Sequence, residues 1–487
     1  MSQHSLFGAG GGPEDRTLYY GDCLTWMTQW DDKTVDLIYL DPPFKSDANY
    51  NILFRDRGAG KAQYRAFDDT WHWNDRAEAR LAVYQGAAAR PARRAVLGLY
   101  EVLGECGMLA YLTYMAERLE QMKRILKPTG SIYLHCDPTA SHYLKVLMDA
   151  VFGVPNFRNE VHWYYYNKMH DRRKKLFAAA SDTMLFYVRD IGSDFTFRQL
   201  TEIREKPVRQ LVRKKVRGKM VNARDQHGKL MYQTKRRRTI DNVWRIPCLQ
   251  PASKERLGYP TQKPLKLLDR VISASTNPGD LVLDPFCGCG TAVDAANRLN
   301  RRWAGIDISS FAIDLICDRR MADQHIEVKG TPFSLKAAER LARERPFEFE
   351  SWAIMRMAGF RPNTVRGRDG GVDGRATLAV KPSDHDSRLA LAQVKGGRFS
   401  LSQLRDFLHV TNREKAALGV YVTLNPVRTK GAQQETWKAR TVRVGAEEYP
   451  RCQLWSIADY FEGRRPHLPT MTDPYTGRPL NQGELFA

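Results

Sequence analysis

The apolar positions along the chain change their period several times, and each change marks an element. Val35-Asp36-Leu37-Ile38-Tyr39-Leu40 is apolar at all but one position. Without alternation, it predicts a strand buried on both faces, as in a parallel sheet. Leu281-Val282-Leu283-Asp284 reads the same way, Ser131-Ile132-Tyr133-Leu134-His135 and Trp303-Ala304-Gly305-Ile306 read as further strands, and Thr17-Leu18-Tyr19-Tyr20 as a short strand before Gly21-Asp22. Between strands the period lengthens. Leu109, Leu112, Met115, Ala116, Leu119, Met122 and Leu126 recur at helical spacing, and Lys127-Pro128-Thr129-Gly130 is expected to end that helix. Residues 139–151 predict another helix, and residues 160–166 and 183–188 an antiparallel pair of strands. Strands alternating with helices predict a doubly wound α/β sheet.

Two stretches break this pattern. Residues 45–107 read as an excursion from the sheet, and their Trp71-His72-Trp73 cluster suits packing of that excursion better than contact with a ligand. Residues 201–240 are strongly cationic, with Arg213-Lys214-Lys215 and Lys235-Arg236-Arg237-Arg238, and have poor apolar periodicity. Such a run either grips phosphates without reading bases or is a solvated basic arm.

Composition narrows the class. The chain has 487 residues, room for two or three domains, and a net charge of +21 that favours a polyanionic partner. Its eight cysteines include no Cys-x-x-Cys pair, so zinc is not expected and buried thiols in a reducing compartment are. The N-terminus does not read as a signal peptide, and no apolar run approaches the roughly 20 residues of a membrane span. A soluble, intracellular, cytoplasmic protein, nucleoid-associated through DNA, is expected.

The candidate chemistry sits at two strand ends. Asp41-Pro42-Pro43-Phe44 follows the first buried strand, and the prolines stop it because they cannot donate to a ladder. An acid, a stiff turn and a ring are thus presented where α/β sheets bind ligands. An exocyclic base amine is a poor nucleophile, its lone pair being delocalised. Accepting its hydrogens on the Asp41 carboxylate and the Pro42 carbonyl would free that pair, while Phe44 would stack on an extruded base. The plainer alternative is a strand ended by a Pro-Pro turn with a capping Asp. Downstream, Asp284-Pro285-Phe286-Cys287-Gly288-Cys289-Gly290-Thr291 is a strand, glycine loop and helix start, and Asp307 closes the next strand at the place of a ribose-binding acid. A dinucleotide oxidoreductase is the rival, but the third glycine of its fingerprint is absent.

Taken with Gly21-Asp22 and Thr261-Gln262-Lys263-Pro264, these motifs resemble the amino-methylating (N6-adenine or N4-cytosine) DNA methyltransferases in their beta arrangement, across roughly residues 17–325. Cys289 departs from the serine usual there. The resemblance implies S-adenosylmethionine as cofactor, with Asp284, Phe286, Gly288, Gly290, Thr291, Thr261 and Lys263 around its methionine part. Asp307 would hold its ribose and Asp22 its adenine side. It also implies a Rossmann-like sheet with one antiparallel strand, and an Asp-led tetrad leans to adenine N6, with cytosine N4 or a non-catalytic DNA-binding protein as alternatives. Double-stranded DNA is the expected partner, gripped by Arg172, Arg173 and Lys174 together with Arg213, Lys214, Lys215, Arg236, Arg237 and Arg238. A homodimer is left open.

After residue 328 the pattern restarts. A helix opening at Phe347, then Asp373-Gly374, a strand, and Gln393-Val394-Lys395 on the next strand resemble the Mrr-type branch of the PD-(D/E)xK nucleases. That implies a second, smaller α/β domain in which Asp373 holds Mg2+, Gln393 stands where a second acid is common, and Lys395 orients the attacking water. Glu348 is the expected helical metal ligand, with Glu350 left open. A domain kept for DNA binding without cleavage is the alternative. No Gly-x-x-x-x-Gly-Lys-Ser/Thr loop is present, so ATP-driven translocation is not expected. The expected division is a methyltransferase domain over 1–327, with a basic DNA-binding and target-recognition region at about 164–258, a linker over 328–345, a nuclease-like domain over 346–469 and a tail over 470–487.

Overall fold

In the computed structural model the described residues are 11–43, 50–53, 63–67, 71, 73–86, 90–168, 177, 179–216, 218–259, 261–362, 371–379, 389–472 and 479–480. Nine strands form one sheet in the order Val243–Arg245, Phe157–Tyr164, Ser181–Val188, Leu126–Cys136, Val35–Leu40, Leu281–Asp284, Arg302–Asp307, Thr17–Tyr20 and Glu327–Lys329. Ser181–Val188 runs against both neighbours, and every other adjacent pair is parallel. The unalternating strands are buried on both sides because helices cover both faces. Ile38 and Leu40 pack into a core with the helices Cys23–Met27, Gly107–Ile125 and Ser141–Phe152. Leu37 and Tyr39 face the helices Leu265–Ser275 and Thr291–Arg298.

Two local expectations change. The helix ends at Ile125, just before residues 127–130, and these belong to the strand Leu126–Cys136 that follows at once. The register jumps from Val35 opposite Leu126 to Leu37 opposite Ser131, so the segment bulges from the ladder, where Pro128 forfeits no pairing bond. The cationic stretch is not a structureless arm: Thr201–Leu211 pairs antiparallel with Tyr232–Thr239, and Arg213–Val216 with Lys219–Asn222. Solvent lies on both faces of these ribbons, which is why no apolar period announces them.

A second sheet orders Arg361–Pro362, Gly374–Thr377, Leu389–Lys395, Leu418–Thr423 and Cys452–Ser456 around its own core. Its helix Pro346–Met355 touches the larger sheet, where the Tyr20 hydroxyl donates to Glu348 at 3.2 Å, and Arg356, just past the helix, pairs with Asp314. Among the described residues no helix is long and apolar enough to cross a membrane.

Candidate active site

The strands Val35–Leu40 and Leu281–Asp284 are direct neighbours, with Leu37 and Ile38 opposite Val282 and Leu283. Parallel pairing therefore brings the two candidate motifs, far apart in sequence, to one sheet edge. A single cleft there is lined by Asp41, Pro42, Pro43, Thr261, Lys263, Asp284, Phe286, Gly288, Thr291 and Asp307. Phe44 lies outside the described residues.

Asp41 has its two oxygens differently engaged. Oδ2 is held by the Lys263 ammonium, whereas Oδ1 is buried and has no hydrogen-bond partner among the described residues. An unmatched buried acceptor costs roughly 1–3 kcal/mol, so its persistence in a cleft marks a place for a donor. Lys263 is positioned by its own segment: its carbonyl accepts the Thr291 hydroxyl at 3.2 Å, tying this segment to the helix after the glycine loop.

The glycine loop is shaped by close approaches. Gly290 is left-handed at φ 76°, and a Cβ there would meet Ile316 at 2.7 Å, so only glycine fits the turn into the helix Thr291–Arg298. The Gly288 N–H donates to Asp307 Oδ2 at 2.8 Å and the Ser309 N–H to Oδ1 at 2.8 Å. Each carboxylate oxygen keeps a further lone pair for a ligand hydroxyl. Burial pushes the Asp307 carboxyl up to about 6. Burial also holds Asp284 well above the usual carboxylate range, with Asp41 and Asp307 adding like charge. Cys289 is buried, with its thiol 3.8 Å from the Thr291 hydroxyl, so the smaller departure from serine is accommodated.

Asp22 differs from expectation. It is not on the cleft wall: it caps the helix Cys23–Met27 through the Leu24 N–H at 2.8 Å and receives Arg118 Nη2 on both oxygens, at 2.8 and 2.6 Å. Arg118 in turn lies 3.2 Å above the Tyr114 ring, and Tyr114 and Cys23 do line the cleft. Asp22 is thus connected to the cleft wall through Arg118 and Tyr114. The sequence signal was an arginine three residues after Met115 and four before Met122, on the apolar face of the helix Gly107–Ile125, where a buried cation needs a partner.

A buried network missed at first runs behind the tetrad. The Tyr39 hydroxyl meets His135 Nδ1 at 2.9 Å, and His135 Nε2 meets Asp182 at 3.2 Å. Tyr165 donates to the other Asp182 oxygen at 3.1 Å. Burial works against ionisation of Asp182, but the bond from His135, with Lys263 nearby, holds its carboxyl below the usual range.

The cationic candidates separate. Arg172, Arg173 and Lys174 lie outside the described residues. Arg213, Lys214, Lys215 and Arg236 are exposed on the ribbons. Arg237, though exposed, and Arg238 instead hydrogen-bond within the protein, because their strand ends at the ribbon's base. Arg237 donates to the Thr201 hydroxyl at 2.9 Å, and Arg238 shares Glu202 with Arg270 of the helix Leu265–Ser275.

In the second sheet, the Asp373 N–H donates to the Ala392 carbonyl at 2.9 Å and its Oδ2 accepts the Val394 N–H at 2.8 Å, so it abuts the Gln393-Val394-Lys395 strand. Gln393 Oε1 and the Tyr421 hydroxyl, on residues paired across neighbouring strands, are buried without a hydrogen-bond partner among the described residues. Burial, with Asp373 nearby, pushes the Tyr421 hydroxyl up to about 12. Lys395 lines a groove with Glu350, Glu339 and Arg343. Glu348 does not line this groove: its carboxylate is engaged by the Tyr20 hydroxyl at 3.2 Å and by Arg345 at 2.8 Å, whereas its neighbour Glu350 lies in the groove. No cluster of three or more His, Cys, Asp or Glu that could hold a metal ion occurs among the described residues.

Comparison with known proteins agrees with this geometry. Residues 35–318 match the N6/N4 DNA methylase family and residues 341–445 the Mrr catalytic restriction endonuclease family. The type II methyltransferase M.HpaI of Haemophilus parainfluenzae is 32% identical over 209 residues, which is 43% of this chain and 59% of that protein. The DNA adenine methyltransferase YhdJ of Escherichia coli (strain K12) is 26% identical, covering 61% of this chain and 80% of its own. The chain thus spans less than two thirds of the length of M.HpaI. Among solved structures, the M1.HpyAVI–SAM complex overlaps 63% of this chain and 98% of its own at 17% identity and TM-score 0.35. The PvuII DNA methyltransferase (cytosine-N4-specific) overlaps 63% and 87% at 15% identity and TM-score 0.37. With more than half of its length matched by one family model, this chain belongs to the N6/N4 DNA methylase family and carries a restriction-endonuclease-like domain behind it.

Proposed function

We propose that the protein transfers a methyl group from S-adenosylmethionine to N6 of adenine in double-stranded DNA, and that its second domain cleaves DNA with Mg2+. The observation that carries the first reading is the divided carboxylate of Asp41, one oxygen fixed by Lys263 and the other buried and unmatched in the cleft. S-adenosylmethionine, when bound, supplies an electrophilic methyl group. The chain's own residues fit it: Gly288 and Gly290 bring backbone close to a ligand, and Asp307 keeps acceptor capacity for ribose hydroxyls. Asp41 Oδ1 accepts one amino hydrogen of the base, which localises the nitrogen lone pair toward the methyl donor. The same atom is placed to receive the proton that the amine sheds on gaining its methyl group.

For the second domain, Asp373 and the unmatched Gln393 Oε1 supply one carboxylate and one amide oxygen. Mg2+ ordinarily takes few protein ligands and completes its shell with water and phosphate, so this small set fits it. Lys395 and Glu350 share the adjoining groove. The cell compartment consistent with this reading is the cytoplasm, at the nucleoid.

The test is nucleoside mass spectrometry of unmethylated DNA incubated with protein and S-adenosylmethionine. N6-methyladenine is expected; N4-methylcytosine would overturn the choice of base, and no methylated base would overturn the reading. A pH prediction accompanies it. Asp307, raised to about 6, is protonated below that pH and then offers ribose one charged acceptor fewer. Cofactor affinity measured by calorimetry is therefore expected to weaken as pH falls through about 6. Asp307→Asn should flatten that dependence and bind more weakly at pH 8.

A further inference from the structure

Between residues 201 and 239 the chain carries fourteen lysines and arginines against three acids, and it folds outside both cores. Its shape is a fork. The stem pairs Thr201–Leu211 with Tyr232–Thr239. At its far end Val212, Ala223 and Met231 exchange three backbone hydrogen bonds, and Ala223 is buried there. Two prongs leave this junction. One is the hairpin of Arg213–Val216 and Lys219–Asn222, and the other is the short turn closed by the bridge between Arg224 and Leu230.

The direction of the fork follows from its anchor. The Arg198 N–H donates to the Ala274 carbonyl, and Glu202 takes Arg270, so the stem runs antiparallel to the helix Leu265–Ser275. That helix begins at Lys263 and Pro264, beside Asp41. From Arg270 back to Pro264 is about 9 Å at the helical rise. From Glu202 to Leu211 is about 30 Å at the strand rise. The stem overshoots the catalytic end of the sheet by roughly 20 Å, so a duplex delivering a base to the cleft must pass the prongs. A two-stranded ribbon is narrow enough for the major groove, roughly 12 Å wide.

The prongs differ in chemistry. The first holds five cations and no acid, which suits phosphates. The second is built on Asp225, whose Oδ1 accepts the N–H groups of His227 and Lys229, both at 2.9 Å. This fixed turn holds out Gln226 and His227, both exposed and 3.2 Å apart through their side-chain nitrogens. Hydrogen-bonding side chains on a fixed tip amid cations suit base edges, and glutamine matches adenine in the major groove.

We propose that, within the target-recognition region expected from the resemblance, the Asp225-centred prong enters the major groove and discriminates bases through Gln226 and His227, while the lysine prong holds phosphates. This rests on the DNA-methylation reading. The experiment selects duplexes from a random pool with the full-length protein, and measures methyl transfer to the selected DNA alongside. Wild-type protein is expected to enrich one motif. Gln226→Ala with His227→Ala should reduce discrimination at one or two positions of it by roughly tenfold or more. Lys214→Ala, Lys215→Ala and Lys219→Ala together should weaken all duplexes alike and lower the salt slope by about 3. Unchanged discrimination in the first variant, or lost discrimination in the second, would overturn the assignment. If wild-type protein selects a motif that the first variant no longer discriminates, yet transfers no methyl group, the methylation reading fails while the fork's reading of DNA stands.

Discussion

Asp41→Ala is expected to lower the rate of methyl transfer by at least about 10²–10³, the usual cost of deleting one preorganised polar group that acts on the reacting atom. The geometry separates this from a loss of binding. Asp41 touches Lys263, and the glycine loop and Asp307 are held by bonds of their own, so cofactor and duplex should still bind. A fold effect must be controlled, since removing the carboxylate takes one partner from a nearly buried ammonium. Asp41→Asn meets this control. Its amide oxygen can stay on Lys263, but its N–H groups then face the hydrogens of the base amine and repel them. Both variants should be inactive, and the asparagine protein should keep its melting temperature more closely. Initial rates with labelled cofactor and electrophoretic binding of DNA check this, and a rate within fivefold of wild type in either variant would refute Asp41 as the group acting on the amine.

Much of the larger domain was readable because its chemistry is carried by local strings at strand ends. A strand apolar at consecutive positions announces burial on both faces, and a helix on each side is the means of achieving it. Parallel pairing then brings Asp41 and Asp284 together without any further information. What escaped depends on direction around an axis. Glu348 and Glu350 lie two positions apart on the helix Pro346–Met355, about 200° around it, so one must face away from whatever the other faces. Sequence spacing does not say which, and it is the fold that turns Glu348 to Tyr20 and Glu350 into the groove with Lys395. The Tyr39, His135 and Asp182 chain was illegible for the same reason, since three strands must align before these residues meet. The fork escaped for the opposite reason. With no buried face, its strands carry no hydrophobic pattern, and only the exposed cations signalled that something there meets a polyanion.

The second large effect concerns the smaller domain. Asp373→Ala is expected to abolish Mg2+-dependent nicking of supercoiled plasmid, because it deletes the sole carboxylate adjoining Gln393 in the proposed donor set and no spare acid cluster exists among the described residues. Lys395→Ala should do the same through the attacking water, while both proteins continue to methylate DNA, since neither residue lines the methylation cleft. The helical acid supplies the finer discrimination. Glu350→Gln should slow cleavage, because Glu350 shares the groove with Lys395. Glu348→Gln should leave cleavage near wild type, because its carboxylate is engaged with Tyr20 and Arg345 and an amide can still accept from the tyrosine. Chelation by EDTA should stop nicking in every active protein. Persistent cleavage in Asp373→Ala would move the nuclease centre elsewhere. Loss of cleavage in Glu348→Gln with full activity in Glu350→Gln would show that the helix turns its other face to the metal when DNA is bound.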